Sequence, residues 1–275
     1  MFDLNQGLLA YFFPNVSYWA FHEWYILLPV VLAVCAAAYL LGSINSAIIV
    51  SKVIYHDDVR THGSGNAGTT NVLRTYGKLA ALLTLLGDML KTAIAIGIAG
   101  LVFGFNYVGG ISVSDMCYIA GLFSVIGHIF PVYYRFKGGK GVLSTATMVL
   151  VLSPAIFGIL ILLFIGIVAF SGFVSLGSVI AASLYPIVLN GYFSIFASEV
   201  KPMPLMVLAS ILLACLIVWC HRTNLDRISK GEENKFTFGK KKEEPALDAA
   251  DEEDEYGTTS DDAAADTDDG EADGE

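Results

Sequence analysis

Charged residues are scarce in this chain, and cysteines are scarcer still. Only 15% of its 275 residues are Asp, Glu, Lys or Arg, whereas 55% are hydrophobic and the mean hydropathy is +0.62. This composition excludes a soluble globular domain, which needs a polar surface, and indicates a membrane protein. The four cysteines include no Cys-x-x-Cys pair, so their spacing favours neither a metal site nor a disulfide framework.

Basic residues are absent from the C-terminal stretch. Residues 243–275 carry 16 of the 26 acidic residues and no Lys or Arg, so the rest of the chain combines 16 basic residues with 10 acidic ones. The stretch also has too few large apolar side chains to offset the entropy of ordering it. We therefore predict a disordered acidic tail over 241–275, attached to a basic membrane body. Residues 1–23, rich in Phe, Tyr and Trp, predict an interfacial segment.

Seven apolar stretches are candidates to cross a bilayer, whose core takes about 20 residues of helix. They cover residues 24–50, 79–104, 115–134, 141–153, 155–171, 173–194 and 203–220. Lys and Arg collect after the first, third and last stretches, whereas the alternate loops carry only Lys201. Because cytoplasmic loops are enriched in basic residues, seven helices put all three basic segments inside. The prediction is an all-α integral membrane protein with about seven transmembrane helices, an outside N-terminus and a cytoplasmic C-terminus.

The first basic segment contains the glycine-rich run GSGNAGTTN at 63–71. Its three glycines let backbone N–H groups approach an anion, and its short polar side chains add further donors. Arg60, Arg74 and Lys78 flank the run with positive charge. We interpret the run as a phosphate cradle at the membrane surface, the plain alternative being a flexible connecting loop.

Two further polar clusters lie on the same predicted face. The run FKGGKG at 136–141 embeds Lys140 among glycines and opens a helix, where free N–H groups and the helix dipole favour an anion. Its spacing is not that of a Walker A loop, and a basic loop obeying the positive-inside rule is the alternative. His221 and Asn224 follow the last stretch and share a helix face. A histidine there is a candidate general base or merely an interfacial residue.

Two charged residues interrupt the second apolar stretch. Asp88 and Lys91 are three positions apart, so they can pair within one helix. Ionisable groups inside a membrane span are costly and are usually paired or functional. We interpret these two as a structural ion pair rather than as a proton relay.

Together these motifs resemble the acyl-phosphate:glycerol-3-phosphate acyltransferase family of the PlsY type over residues 35–235. One departure is Asn45, where many relatives have Pro after Gly-Ser-Ile. The matching segments are Leu41-Gly42-Ser43-Ile44, GSGNAGTTNVLR at 63–74, Asp88 with Lys91, Gly127-His128 with Phe130-Pro131, FKGGKGV at 136–142, Val174-Ser175-Leu176 with Ser178, and His221, Asn224, Arg227, Gly231 and Glu233.

The resemblance implies a reaction. A fatty acyl group would pass from acyl phosphate to the 1-hydroxyl of sn-glycerol 3-phosphate, giving lysophosphatidic acid for phospholipid biosynthesis. It also implies a seven-helix bundle, here residues 24–240, in a bacterial inner membrane with the active site facing the cytosol. No cofactor and no metal are implied. The implied partners are the two substrates, membrane lipid and, by functional coupling, the enzyme that makes acyl phosphate, with no nucleic acid.

The site residues follow from the motifs and the resemblance together. Catalytic roles are predicted for Ser64, Arg74, Lys140, His221 and Asn224. Substrate phosphate binding is predicted for Gly63, Gly65, Asn66, Thr70, Asn71, Gly138, Gly139, Gly141 and Ser178. The alternative function is a membrane transporter of phosphorylated metabolites, which needs polar groups at mid-bilayer. A seven-span receptor leaves the two glycine–lysine loops unexplained.

Overall fold

The computed structural model describes residues 7–12, 24–104, 107–108, 111–112, 114–196 and 202–235. The predicted acidic tail and most of the predicted interfacial segment lie outside these ranges. The described helices are α1 Gly7–Phe12, α2 Trp24–Ser43, α3 Ser46–Ile54, α4 Thr69–Tyr76, α5 Lys78–Phe103, α6 Asp115–Ile129, α7 Val142–Leu152, α8 Pro154–Ser171, α9 Val174–Phe196, α10 Pro204–Cys220 and α11 Arg222–Ser229. Two-residue strands, β1 Tyr107–Val108 and β2 Ile111–Ser112, pair antiparallel between α5 and α6.

The expected all-α membrane architecture is confirmed. Helices α2, α5, α6, α8 and α9 are long and apolar enough to cross a bilayer, and α10 with α11 makes a sixth candidate bent by 53°. Helix α7 has 11 residues, which is about 16 Å of helix and too short to cross alone. The seven-span count and the orientation of the termini therefore stay predictions. Large side chains such as Phe170, 97% exposed, face outward where lipid would lie.

The first predicted span is wrong in its continuity. The stretch 24–50 is broken at Ile44 and Asn45, which separate α2 from α3. The Asn45 side chain accepts a hydrogen bond from the Ile48 backbone N–H at 3.1 Å and so caps α3. Asparagine favours this position because its side chain satisfies an N–H group that has no partner within the helix. The same side chain donates to the Ala67 carbonyl at 3.3 Å, which ties the break to the first glycine loop.

Helices α2 and α6 pack closely through small residues. A β-carbon at Gly42 would overlap the backbone of Ser124, and one at Gly127 would overlap the backbone of Tyr39 and Ser43. Small residues at such crossings let two helix backbones approach within a membrane. A second apolar cluster, which includes Ile48, Val59 and Val72, lies beneath the first glycine loop. These contacts fix where both the loop and the end of α6 stand.

Candidate active site

One cavity of about 470 Å³ collects most of the predicted site residues. Ten of the fourteen line it: Ser64, Asn66, Thr70, Asn71, Arg74, Lys140, Gly141, Ser178, His221 and Asn224. The other four, Gly63, Gly65, Gly138 and Gly139, lie outside its lining. Three clusters far apart in sequence therefore meet at one end of the cavity, as their shared membrane face predicts.

The first glycine loop leads into the N-terminus of α4. Gly68, Thr69 and Thr70 line the cavity there, and no side chain caps the helix. The first N–H groups of a helix lack partners within it, and the helix dipole adds positive potential at the same place. The Thr69 hydroxyl is buried without a hydrogen-bond partner. This end of the cavity is therefore suited to an anion.

The Asn71 side chain forms its hydrogen bonds with the backbone of the first glycine loop. Its side-chain oxygen accepts from the Ser64 N–H at 3.1 Å, and its amide nitrogen donates to the Val59 and His62 carbonyls, both at 3.0 Å. Gly63 has a φ of +56°, and a β-carbon there would overlap the Asn71 side chain. Asn71 therefore shapes the loop, and the phosphate contact predicted for it stays a prediction.

The glycines of the second loop serve close packing. The Gly139 N–H donates to the His128 carbonyl at 3.1 Å. A β-carbon at Gly138 would overlap that carbonyl and lie 2.6 Å from the Pro131 ring, and one at Gly139 would overlap the His128 imidazole. The phosphate binding predicted for Gly138 and Gly139 stays a prediction; the structure adds a packing reason for their lack of a side chain. They bring the loop against the end of α6, and Gly141, with a φ of +78°, turns the chain into α7.

A hydrogen-bonded chain links the second loop to the C-terminal helices. Lys140 Nζ donates to Asn224 Oδ1, and Asn224 Nδ2 donates to Glu233 Oε1 at 2.7 Å. The same carboxylate oxygen accepts from Ser175 Oγ at 2.8 Å. Ser178, one helical turn along α9 from Ser175, donates its hydroxyl to the Val174 carbonyl at 2.9 Å. Ser175 was not among the predicted site residues, although it belongs to the Val-Ser-Leu motif.

Positive charge dominates the polar end. Burial is the main cause that lowers the pKa of Lys140 to about 8; Glu233 opposes this shift, whereas Arg227 and Arg74 contribute to it. Within the part of the chain that the structure describes, Arg74 makes no hydrogen bond or ion pair, and its side chain is exposed at the cavity rim. A guanidinium in that state has all its donors available for a bidentate contact with phosphate.

His221 has one defined tautomer when neutral. Its side chain lines the cavity at the junction of α10 and α11, and the residue is 3% exposed. Nδ1 lies 2.8 Å from the Ile217 carbonyl oxygen. Because a carbonyl can only accept, Nδ1 carries the proton and Nε2 keeps the lone pair. The ring is therefore set to accept a proton or hydrogen bond at Nε2.

Two residues that were not predicted as site residues, Asp88 and His128, also line the cavity. The expected pairing of Asp88 with Lys91 is confirmed, since Lys91 Nζ lies 2.8 Å from Asp88 Oδ1 and both side chains are almost fully buried. Lys91 Nζ also contacts His128 Nδ1 at 2.9 Å. The sequence signal for His128 was present in the Gly127-His128 motif, but no spacing rule connects it to the glycine loops.

The rest of the cavity is apolar and runs between α7, α8, α9 and α10. Its wall includes Phe157, Leu160, Phe164, Ala181 and Leu213. One end therefore suits anions, and the continuation suits a hydrocarbon chain. Within the described ranges no three His, Cys, Asp or Glu side chains are placed to hold a metal ion together.

Comparison with known proteins places this geometry in a family. The family model "Glycerol-3-phosphate acyltransferase" matches residues 32–231. A glycerol-3-phosphate acyltransferase from Syntrophomonas wolfei is 42% identical over 205 residues, covering 74% of this chain and 96% of the relative. One from Methylobacillus flagellatus is also 42% identical over 205 residues, covering 74% and 95%.

Solved structures agree with these sequence relatives. The crystal structure of PlsY, an integral membrane glycerol 3-phosphate acyltransferase, in its glycerol 3-phosphate form has a TM-score of 0.65 at 33% identity. Its lysophosphatidic acid form has a TM-score of 0.63 at 32% identity. Each match covers 76% of this chain and 96% of the other.

Proposed function

Since the chain belongs to the glycerol-3-phosphate acyltransferase family, we propose that it transfers a fatty acyl group from acyl phosphate to the 1-hydroxyl of sn-glycerol 3-phosphate. The products are lysophosphatidic acid and inorganic phosphate. The observation that carries this proposal is that one cavity combines a cationic, N–H-rich end with an apolar continuation. An acyl phosphate has the same two-part character, because an anionic head is joined directly to a hydrocarbon chain.

The polar end has enough donors for two phosphate groups. Lys140, Arg74 and Arg227 supply positive charge, while the starts of α4 and α7 supply N–H groups. Two phosphates brought together repel each other, so an enzyme that joins these substrates has to neutralise both. In our proposal Ser64 and Arg74 hold one phosphate from the first loop, and Lys140 holds the other from the second.

The chemical step needs no covalent enzyme intermediate, because phosphate is a good leaving group. The glycerol hydroxyl oxygen attacks the acyl carbonyl carbon and forms the new ester bond, while the bond from that carbon to the phosphate oxygen breaks. The hydroxyl proton passes to Nε2 of His221, the ring nitrogen with the free lone pair. Holding both substrates in line can contribute roughly 7–11 kcal/mol to lowering the barrier.

Asn224 positions the lysine in this scheme. It accepts from Lys140 and donates to Glu233 at 2.7 Å, so the ammonium is oriented by a side chain that is itself fixed. We further propose that the polar end faces the cytoplasm of a bacterial inner membrane, since the basic loops lie at that end. Acyl phosphate would then arrive from the enzyme that makes it.

One assay tests the proposal directly. Purified protein in detergent is given acyl phosphate and glycerol 3-phosphate, and lysophosphatidic acid is measured against reactions with acyl-CoA as donor or glycerol as acceptor. We expect product only with acyl phosphate and glycerol 3-phosphate together. No product from folded protein would contradict the proposal. Uptake of labelled glycerol 3-phosphate into proteoliposomes, without acyl transfer, would favour the transporter alternative instead.

A further inference from the structure

His128 stands where the two glycine loops meet. It belongs to α6, and its carbonyl accepts the Gly139 N–H at 3.1 Å. A β-carbon built on Gly139 would overlap the His128 ring at Nε2 and would lie 3.0 Å from the Ala67 carbonyl of the first loop. The imidazole is therefore close to both loops, and it lines the cavity with a side chain that is 4% exposed.

The neighbours of His128 define its tautomer. Lys91 Nζ lies 2.9 Å from His128 Nδ1, and an ammonium group has only donors. Nδ1 must therefore accept, so the neutral ring carries its proton on Nε2. Lys91 cannot turn away freely, because it also contacts Asp88 Oδ1 at 2.8 Å and the Ile44 carbonyl at 2.5 Å.

Among the described residues no side chain or carbonyl accepts a hydrogen bond from the Nε2–H group, and the residue lines the cavity. The ring cannot readily become cationic either, since an Nδ1–H would then point at the Lys91 ammonium. A neutral N–H donor is thus held rigidly beside the start of α7 and the loop that carries Lys140.

We propose that His128 Nε2–H donates a hydrogen bond to a phosphate oxygen of a bound substrate, and that Lys91 is a positioning residue that holds His128 in the donor tautomer. This rests on the proposed function of the cavity. A phosphate oxygen is the fitting acceptor because Lys140 and the start of α7, which suit an anion, line the same cavity as the ring. The Asp88 carboxylate is near the other ring nitrogen, 3.8 Å from Nδ1. The Asp88–Lys91 pair thereby has a role besides its own structural pairing, because it selects which imidazole nitrogen carries the proton.

The test compares two replacements of His128. His128→Gln keeps an amide N–H near the position of Nε2, whereas His128→Met keeps much of the volume and removes the donor. We expect His128→Met to lower kcat/KM roughly 10- to 100-fold, the usual effect of losing one hydrogen bond to a charged group. His128→Gln should recover most of that loss. Varying acyl phosphate and glycerol 3-phosphate separately shows which phosphate is contacted, through the KM that rises.

The controls separate this role from a structural one. Thermal midpoints are measured for each variant, and His56→Gln, in an exposed loop, should match wild type. Equal activity of wild type and a folded His128→Met would overturn the proposal, as would equal loss in the Gln and Met variants at unchanged stability.

If wild type binds glycerol 3-phosphate but transfers no acyl group, the proposed reaction fails. Calorimetry of wild type and His128→Met with glycerol 3-phosphate and with inorganic phosphate then tests the donor alone, and equal affinities for both ligands would overturn it.

A double variant tests the positioning role of Lys91 without leaving an unpaired buried charge. Asp88→Asn with Lys91→Met removes both charges of the pair together. Nitrogen-15 spectra of the His128 ring should then show loss of the single Nε2–H tautomer, with kcat/KM reduced less than in His128→Met. An unchanged tautomer and unchanged activity would overturn the positioning role of Lys91.

Discussion

Lys140 offers the most informative perturbation, because its charge is both needed by the proposed chemistry and weakened by burial. It lies in the second glycine loop, and burial lowers its pKa to about 8, with Arg227 and Arg74 adding to the shift. Lys140→Met removes the ammonium while keeping a long side chain. The loop itself is fixed by Gly138 and Gly139 against His128, so we expect the variant to fold and insert normally.

The magnitude follows from the interaction that is lost. A hydrogen bond to a charged group is worth about 1.5–3 kcal/mol, and two unit charges about 4 Å apart attract by roughly 4 kcal/mol at an effective dielectric of 20. Remaining cations such as Arg74 and Arg227 compensate part of this. We therefore expect kcat/KM to fall roughly 100- to 1,000-fold.

The pH profile provides the sharper check. Lys140 must be protonated to hold a phosphate, and a lowered pKa means that the charged form is lost as pH rises through about 8. The kcat/KM of the wild type, which reports the free enzyme, should therefore decline above that pH. Lys140→Arg, which keeps its charge over the whole range, should lack this decline even if it is slower. Near-wild-type kcat/KM in Lys140→Met, or an alkaline limb that persists in Lys140→Arg, would refute the reasoning.

Three further predictions rest on other contacts. Arg74→Lys should have a strongly lowered kcat/KM, because an ammonium group cannot bind phosphate bidentately. Wild-type kinetics in this variant would mean that Arg74 only contributes positive charge to a cytoplasmic loop. Asn71→Leu loses three hydrogen bonds within the first loop, each worth roughly 1 kcal/mol. Its thermal midpoint and its activity should therefore fall together. Lost activity at an unchanged thermal midpoint would instead favour a direct contact between Asn71 and phosphate. Truncation after Lys242 should leave kcat unchanged and should lower the KM for glycerol 3-phosphate slightly, at low salt only. The reason is that salt screens the repulsion between the acidic tail and the substrate, with a Debye length of about 8 Å at physiological ionic strength. A large loss of kcat in the truncated protein, measured across a salt series, would contradict this.

The sequence predicted which residues gather at the site better than it predicted what each one does. Ten of the fourteen predicted site residues line the cavity, in keeping with the prediction that the basic and glycine-rich segments share one membrane face. Asn71, Gly138 and Gly139 have structural tasks that were not predicted, since their hydrogen bonds and packing involve partners brought close only by folding. The break at Asn45 was hidden for a similar reason: an apolar stretch does not reveal that one amide caps a helix.

The sequence by itself determined that this protein is built for a lipid bilayer, and it predicts the side on which its basic residues collect. Apolar runs long enough for a bilayer, with Lys and Arg between alternate runs, leave few other arrangements. Only the tertiary structure decided the polar geometry. It brought His128 against Gly139, Lys140 against Asn224, and Ser175 against Glu233. The physical reason is that hydropathy and net charge are properties of one segment and can be read from it alone. A hydrogen bond between distant segments instead requires two atoms to lie within about 3 Å of each other, which only the folded chain decides.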